Sequence, residues 1–92
     1  MANGDEPNIV KSGKCNRITI DNYAFLIEIY RLETDDLWTL EVVDHEGTSH
    51  VWAEQFTSDK EAYSIAVQTI VAEGAKTFML GNNVIPFRKP RT

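Results

Sequence analysis

Two runs rich in Val, Trp and Thr, Leu37 to Asp44 and Thr48 to Phe56, are separated by His45-Glu46-Gly47. Gly47 falls at the third loop position, where a type I turn needs a left-handed residue, and Asp44 just before the loop can hydrogen-bond the turn backbone. The pattern therefore predicts a hairpin in which Asp44 pairs with Thr48, Val42 with His50 and Leu40 with Trp52, so that Trp38, Leu40, Val42 and Trp52 share one face. Upstream, Arg17 to Glu33 carries a long β pattern: Ile18-Thr19-Ile20, a bend at Asp21-Asn22, then Tyr23 to Leu32. A polar turn at Glu33-Thr34-Asp35-Asp36 pairs Tyr30 with Thr39 and Glu28 with Glu41. That register puts Phe25, Ile27 and Ile29 on the Trp face, so two turns read independently agree on one core face.

Ser58-Asp59-Lys60-Glu61 is a capping box and Gly74 a C-terminal stop, which together predict a helix. Its polar stripe, Glu61, Ser64 and Gln68, is narrow, and an apolar arc wider than the usual ~100° calls for cover on more than one side, from a terminal segment or a second chain. After it, Ala75 to Leu80 reads as a short β-compatible run, Gly81-Asn82-Asn83 as a turn and Val84 to Phe87 as extended, with Pro86 excluding a central strand position. The predicted fold is α+β: a three-stranded antiparallel meander packed on one C-terminal amphipathic helix, then a short fourth strand (β-β-β-α-β). The domain organisation is a disordered arm over 1–16, of which only Ile9 and Val10 could dock, a single α+β domain over 17–87 and a basic tail over 88–92.

The 92 residues suit one core, and no stretch nears the ~20 apolar residues that would span a bilayer. The acidic start has no apolar core of a signal peptide, and one cysteine, Cys15, can form no internal disulfide, so a cytoplasmic location is expected. Formal net charge is −5. It is uneven: between Arg17 and Leu80 twelve acidic residues face four basic ones, while Arg88-Lys89-Pro90-Arg91 is basic.

No catalytic or nucleotide-binding motif is present. His45 and His50 near Asp44 and Glu46 suggest a turn histidine and a rim histidine rather than a metal site. Glu28 opposite Glu41, beside Tyr30 and Thr39, is a carboxylate pair of the kind that can divide acid and base roles, yet on a solvated face it needs no function. Cys15 reads as an incidental thiol. Three strands then a helix, with Phe56-Thr57-Ser58-Asp59-Lys60-Glu61-Ala62 at the junction and Gly74 at the helix end, resembles AP2-type and phage-integrase arm-type DNA-binding domains over Leu37 to Gly74. That resemblance implies a sheet lying in the major groove and reading it with arginines and tryptophans. Here the corresponding face offers Leu26, Glu28, Glu41, Val43 and Val51 with no Arg or Lys between them, which disfavours phosphate binding. The expected role is a non-enzymatic protein-binding or assembly module with no cofactor, metal or small-molecule substrate. Its interface is Leu26, Glu28, Tyr30, Glu41, Val43 and Val51, contacting a protein partner or a weak homodimer mate. In a homodimer Glu28 and Glu41 of both chains would approach, so association is expected to strengthen on their protonation. The alternative is a nucleic-acid-associated accessory domain acting through its basic termini.

Overall fold

Ten consecutive residues of alternating burial, Tyr23–Leu32, form the longest strand and the axis of the fold. The computed structural model describes residues 8–81 and 83–85. In chain order the elements are β1 (Ile9–Lys11), β2 (Asn16–Ile20), β3 (Tyr23–Leu32), β4 (Thr39–Asp44), β5 (Ser49–Trp52), α1 (Asp59–Glu73), α2 (Ala75–Leu80) and β6 (Val84–Ile85). The class is α+β as expected, on a six-stranded sheet with path β1-β3-β4-β5-β6 and β2 also on β3. The expected registers hold: Tyr30 pairs with Thr39, Glu28 with Glu41 and Val42 with His50. Gly47 takes φ +87, and the Asp44 and Gly47 backbone groups close the turn.

The meander is larger than three strands, because Asp21-Asn22 is a hairpin turn rather than a bend. Both residues adopt positive φ, 54° and 69°, the conformation of a tight primed turn, and the chain folds back so that Ile20 pairs with Tyr23 and Ile18 with Phe25. The expected disordered arm also needs revision over its described part. Ile9, Val10 and Lys11 pair with Leu32, Arg31 and Tyr30, so β1 and β2 lie end to end along the same edge of β3. Residues 1–7 of that arm, and the tail at 88–92, lie outside the described residues.

Between β1 and β2 the edge is spliced by side chains. Cys15 Sγ lies 3.3 Å from the Ile29 N–H, which it accepts, and 3.5 Å from the Ile29 carbonyl, to which it donates. The thiol thus stands in for a missing ladder residue. Ser12, almost fully buried, donates to Asp59 Oδ2 at 2.6 Å and ties this edge to the start of α1.

α1 starts where its capping residues say. Ser58 is extended and its hydroxyl accepts the Glu61 N–H at 3.0 Å. Ser58→Ala should cost about 1 kcal/mol, read as a lowered urea midpoint with an unchanged slope; no shift would mean the cap is redundant. The helix buries Ala62, Ala66 and Ile70 against Phe25, Ile27, Ile29, Leu40, Val42 and Trp52. Part of its second cover is internal: Tyr63 borders the Gly13–Asn16 loop, while Val71 stays 61% exposed.

Gly74 ends α1 at φ +85, ψ 141, a region closed to L side chains, and its N–H bonds the Ile70 carbonyl. The run expected as a β-strand, Ala75–Leu80, is instead helix α2. Asp21 Oδ2 accepts the Ala75 N–H at 3.1 Å, so the primed turn caps this second helix. Its buried Phe78 meets Phe25 edge-on at 6.0 Å, His50 at 4.7 Å and Trp52 at 6.0 Å. A short strand does follow the helices, but it is Val84–Ile85, parallel to β5 at the sheet edge. Trp38 is half-buried, bridged to Phe56 and covered by the Arg31 guanidinium 5.0 Å above its ring.

Candidate functional site

Strand alternation sends one set of side chains under the helices and the other to the opposite face. Both helices pack on the Phe25 face, and among the described residues no element crosses the other. Cross-strand pairs lay out the open face in rows. Glu28, Glu41, Val51 and Val84 form one row across four strands, and Arg17, Leu26, Val43 and Ser49 the next. Lys11, Tyr30 and Thr39 lie above, then Ile9 and Leu32. All six residues expected at an interface, Leu26, Glu28, Tyr30, Glu41, Val43 and Val51, therefore share this face and are half-buried.

Four of them, Glu28, Tyr30, Glu41 and Val43, line an open depression of about 390 Å³ together with Ile9 and Lys11. The depression does not include Leu26, which with Val43 and Arg17 borders a neighbouring hollow, or Val51. Hydrogen bonds fix the floor. Tyr30 donates to Glu41 Oε1 at 3.0 Å and Ser49 to Glu41 Oε2 at 2.7 Å, while Lys11 Nζ lies 3.4 Å from Glu28 Oε1. Burial pushes the Tyr30 hydroxyl above its ordinary value, reinforced by its bond to Glu41 and the charges of Glu41 and Glu28. Glu41 thus spends both oxygens on neutral hydroxyls and Glu28 meets an ammonium, an arrangement that holds side chains in place.

The histidines are not brought together. His45 is exposed on the turn with its ring 5.3 Å from Tyr23. His50 sits in the core rather than at its rim: it is fully buried, with Nε2 3.0 Å from Asp44 Oδ2. An ionised carboxylate can only accept, so Nε2 carries the proton of that bond. Asp44 Oδ1 accepts the Glu46 and Thr48 N–H groups, so one carboxylate holds both the turn and the core histidine. Among the described residues no group of three or more His, Cys, Asp or Glu is placed to hold a metal ion.

Lys11 and Ile9 from β1, and Arg17 from β2, are the face residues that sequence reasoning left out. The available signal was Asp21-Asn22, two residues tolerant of positive φ flanked by Ile20 and Tyr23. From β3 through α1 the strand-strand-strand-helix order of the DNA-binding families is kept, but the centre of the face is carboxylate and apolar, with cations at one edge. Comparison with protein-family models, with curated proteins and with solved structures finds no match to this chain. Among the described residues no helix is long and apolar enough to cross a membrane.

Proposed function

We propose that this chain is a non-enzymatic protein-binding or assembly module that works through the open face of its sheet, in the cytoplasm. The observation that carries this reading is the coincidence on one uncovered face of half-buried Leu26, Val43 and Val51 with exposed Ile9, Leu32 and Val84, 62%, 38% and 61% accessible. Scattered apolar residues on a surface are ordinary; six on one face over five strands, in three rows around the Glu28–Glu41 pair, favour a contact surface. A location in a reducing compartment suits the half-buried free thiol of Cys15, whose sulfur is engaged by backbone groups that a disulfide would displace.

The test is an amide spectrum of labelled protein in extract of its own cells. Shifts confined to Leu26, Glu28, Val43 and Val51, abolished by protease treatment of the extract and unchanged by nuclease, are expected. Shifts lost on nuclease treatment would transfer the role to nucleic acid, and an unperturbed face would end the reading.

A further inference from the structure

We propose that the occupant of the open face is a second copy of this chain, in a two-fold, face-to-face pair. Lys11 and Arg17 of each copy lie over the Glu28 and Glu41 of the other. This rests on the assembly reading above and names its partner.

The charge layout carries the argument. The body between Arg17 and Leu80 is strongly acidic, so two copies repel over most of their surface. Most of that acid excess sits in turns and on α1. On the open face the signs balance: Lys11 on β1 and Arg17 on β2 along one edge, Glu28 on β3 and Glu41 on β4 at the centre. It is a surface of this acidic body that another copy can approach without net repulsion, and it is also the apolar one. The layout is dipolar, and a two-fold axis parallel to the strands and running beside β3 lays the cationic edge of each sheet over the acidic β3–β4 pair of the other, each copy using the same patch. Lys11 is suited to such sharing because its side chain is 66% exposed while it touches Glu28.

Sheets packed this way lie about 10 Å apart with strands nearly aligned. The overlap spans three strand positions, the β1/β2 edge, β3 and β4, about 4.8 Å apart, and with strands rising about 3.3 Å per residue that gives a face of roughly 300 Å². That is below the ~800 Å² per partner of a standard interface, which sets the expectation of a weak, reversible dimer. Ile9, Leu32 and Leu26 supply its apolar contacts.

Placing Lys11 and Arg17 on the face reverses the pH dependence expected from the sequence. The titratable groups there are Lys11, Arg17, Glu28, Tyr30 and Glu41; β5 and β6 add Ser49, Val51 and Val84, which carry no charge. Protonating the two glutamates removes the attraction and leaves four cations facing one another across the pair. Association therefore weakens on acidification.

Sedimentation across protein concentration at neutral pH tests this. The wild-type chain should dimerise, with a dissociation constant rising about tenfold between about 0.05 M and about 0.5 M salt as screening shortens the reach of the cross-pairs. Two charge-altered chains, one carrying Lys11→Glu and Arg17→Glu, the other Glu28→Lys, should each stay monomeric and yet associate with one another when mixed. A wild-type chain monomeric at every concentration overturns the homodimer while leaving a different protein partner to the extract experiment. A dimer that is indifferent to salt, or altered chains that still self-associate or fail to combine while remaining folded, moves the contact to another surface.

Discussion

The Trp52→Ala protein is expected to be largely unfolded under conditions where the wild type is folded. Trp52 is 3% exposed on β5, on the face that receives α1 and α2, with its ring stacked 6.0 Å from Phe78. Truncating a buried Trp removes its transfer free energy and leaves a cavity, together costing about 3 to 5 kcal/mol. A small domain has about 5 kcal/mol or a little more in total. The loss also strips Phe78 of one of its three ring neighbours, so the six-residue α2 should detach first. A dispersed amide spectrum with a wild-type urea midpoint would show that Trp52 is not part of the core.

Replacing Asp44 by Asn should cost about 3 kcal/mol, because Asp44 accepts N–H groups on both oxygens and the amide must turn its NH2 against either the His50 Nε2–H or the Glu46 and Thr48 N–H groups. The effect has a pH signature. Burial raises the Asp44 carboxyl, but hydrogen bonds from His50 and from the Thr48 and Glu46 N–H groups, with the His50 charge, outweigh it and hold the group below its ordinary 3.8. A depressed carboxylate contributes stability that is fully present above the unfolded value and is lost as pH falls through the lower folded one. Urea midpoints of wild type and Asp44→Asn should therefore differ most near neutrality, with the gap closing only as pH falls below 3.8 and through the lower folded value. A gap that persists in acid would assign the effect to packing instead of charge.

What the sequence made legible was local chemistry with a fixed geometric meaning. Asp44 and Gly47 set one register, the polar turn after Leu32 set the other, and Ser58 and Gly74 bounded α1. The open-face residues followed from those registers by alternation alone. β2 was legible as β from Arg17 on but not its fold back onto β3, and β1 was not legible at all, because Ile9 and Val10 in a polar stretch carry no periodicity and what holds that edge is remote: the backbone of β3, the sulfur of Cys15 and Asp59 on α1. Ala75–Leu80 was legible in composition, since Ala75, Lys76, Met79 and Leu80 are strong helix formers, but about one and a half turns cannot hold alone; Asp21, 54 positions earlier, caps it and Phe78 finds the aromatic cluster. Lys11 and Arg17, which change the electrostatics of the candidate site, belong to the strand that was not read and to the one whose pairing was not. The same gap hid the buried role of His50, since the helix that seals it was read as a strand.

The splice at Cys15 bears on how this sheet avoids growing sideways. An outer strand with an unbroken row of unpaired N–H and C=O groups is a template on which further chains can polymerise. Here one rim is two short pieces, β1 and β2, interrupted by the Ser12–Cys15 loop that turns its backbone toward β3 and α1. Among the described residues the other rim is Val84–Ile85, with proline next in sequence, a residue that cannot donate to a ladder. Among the described residues neither rim offers more than about five residues of continuous pairing. Alkylating Cys15 would strip the splice of the sulfur that engages the Ile29 N–H and loosen the junction between β1 and β2, and the chain's propensity to form fibrils should rise with it.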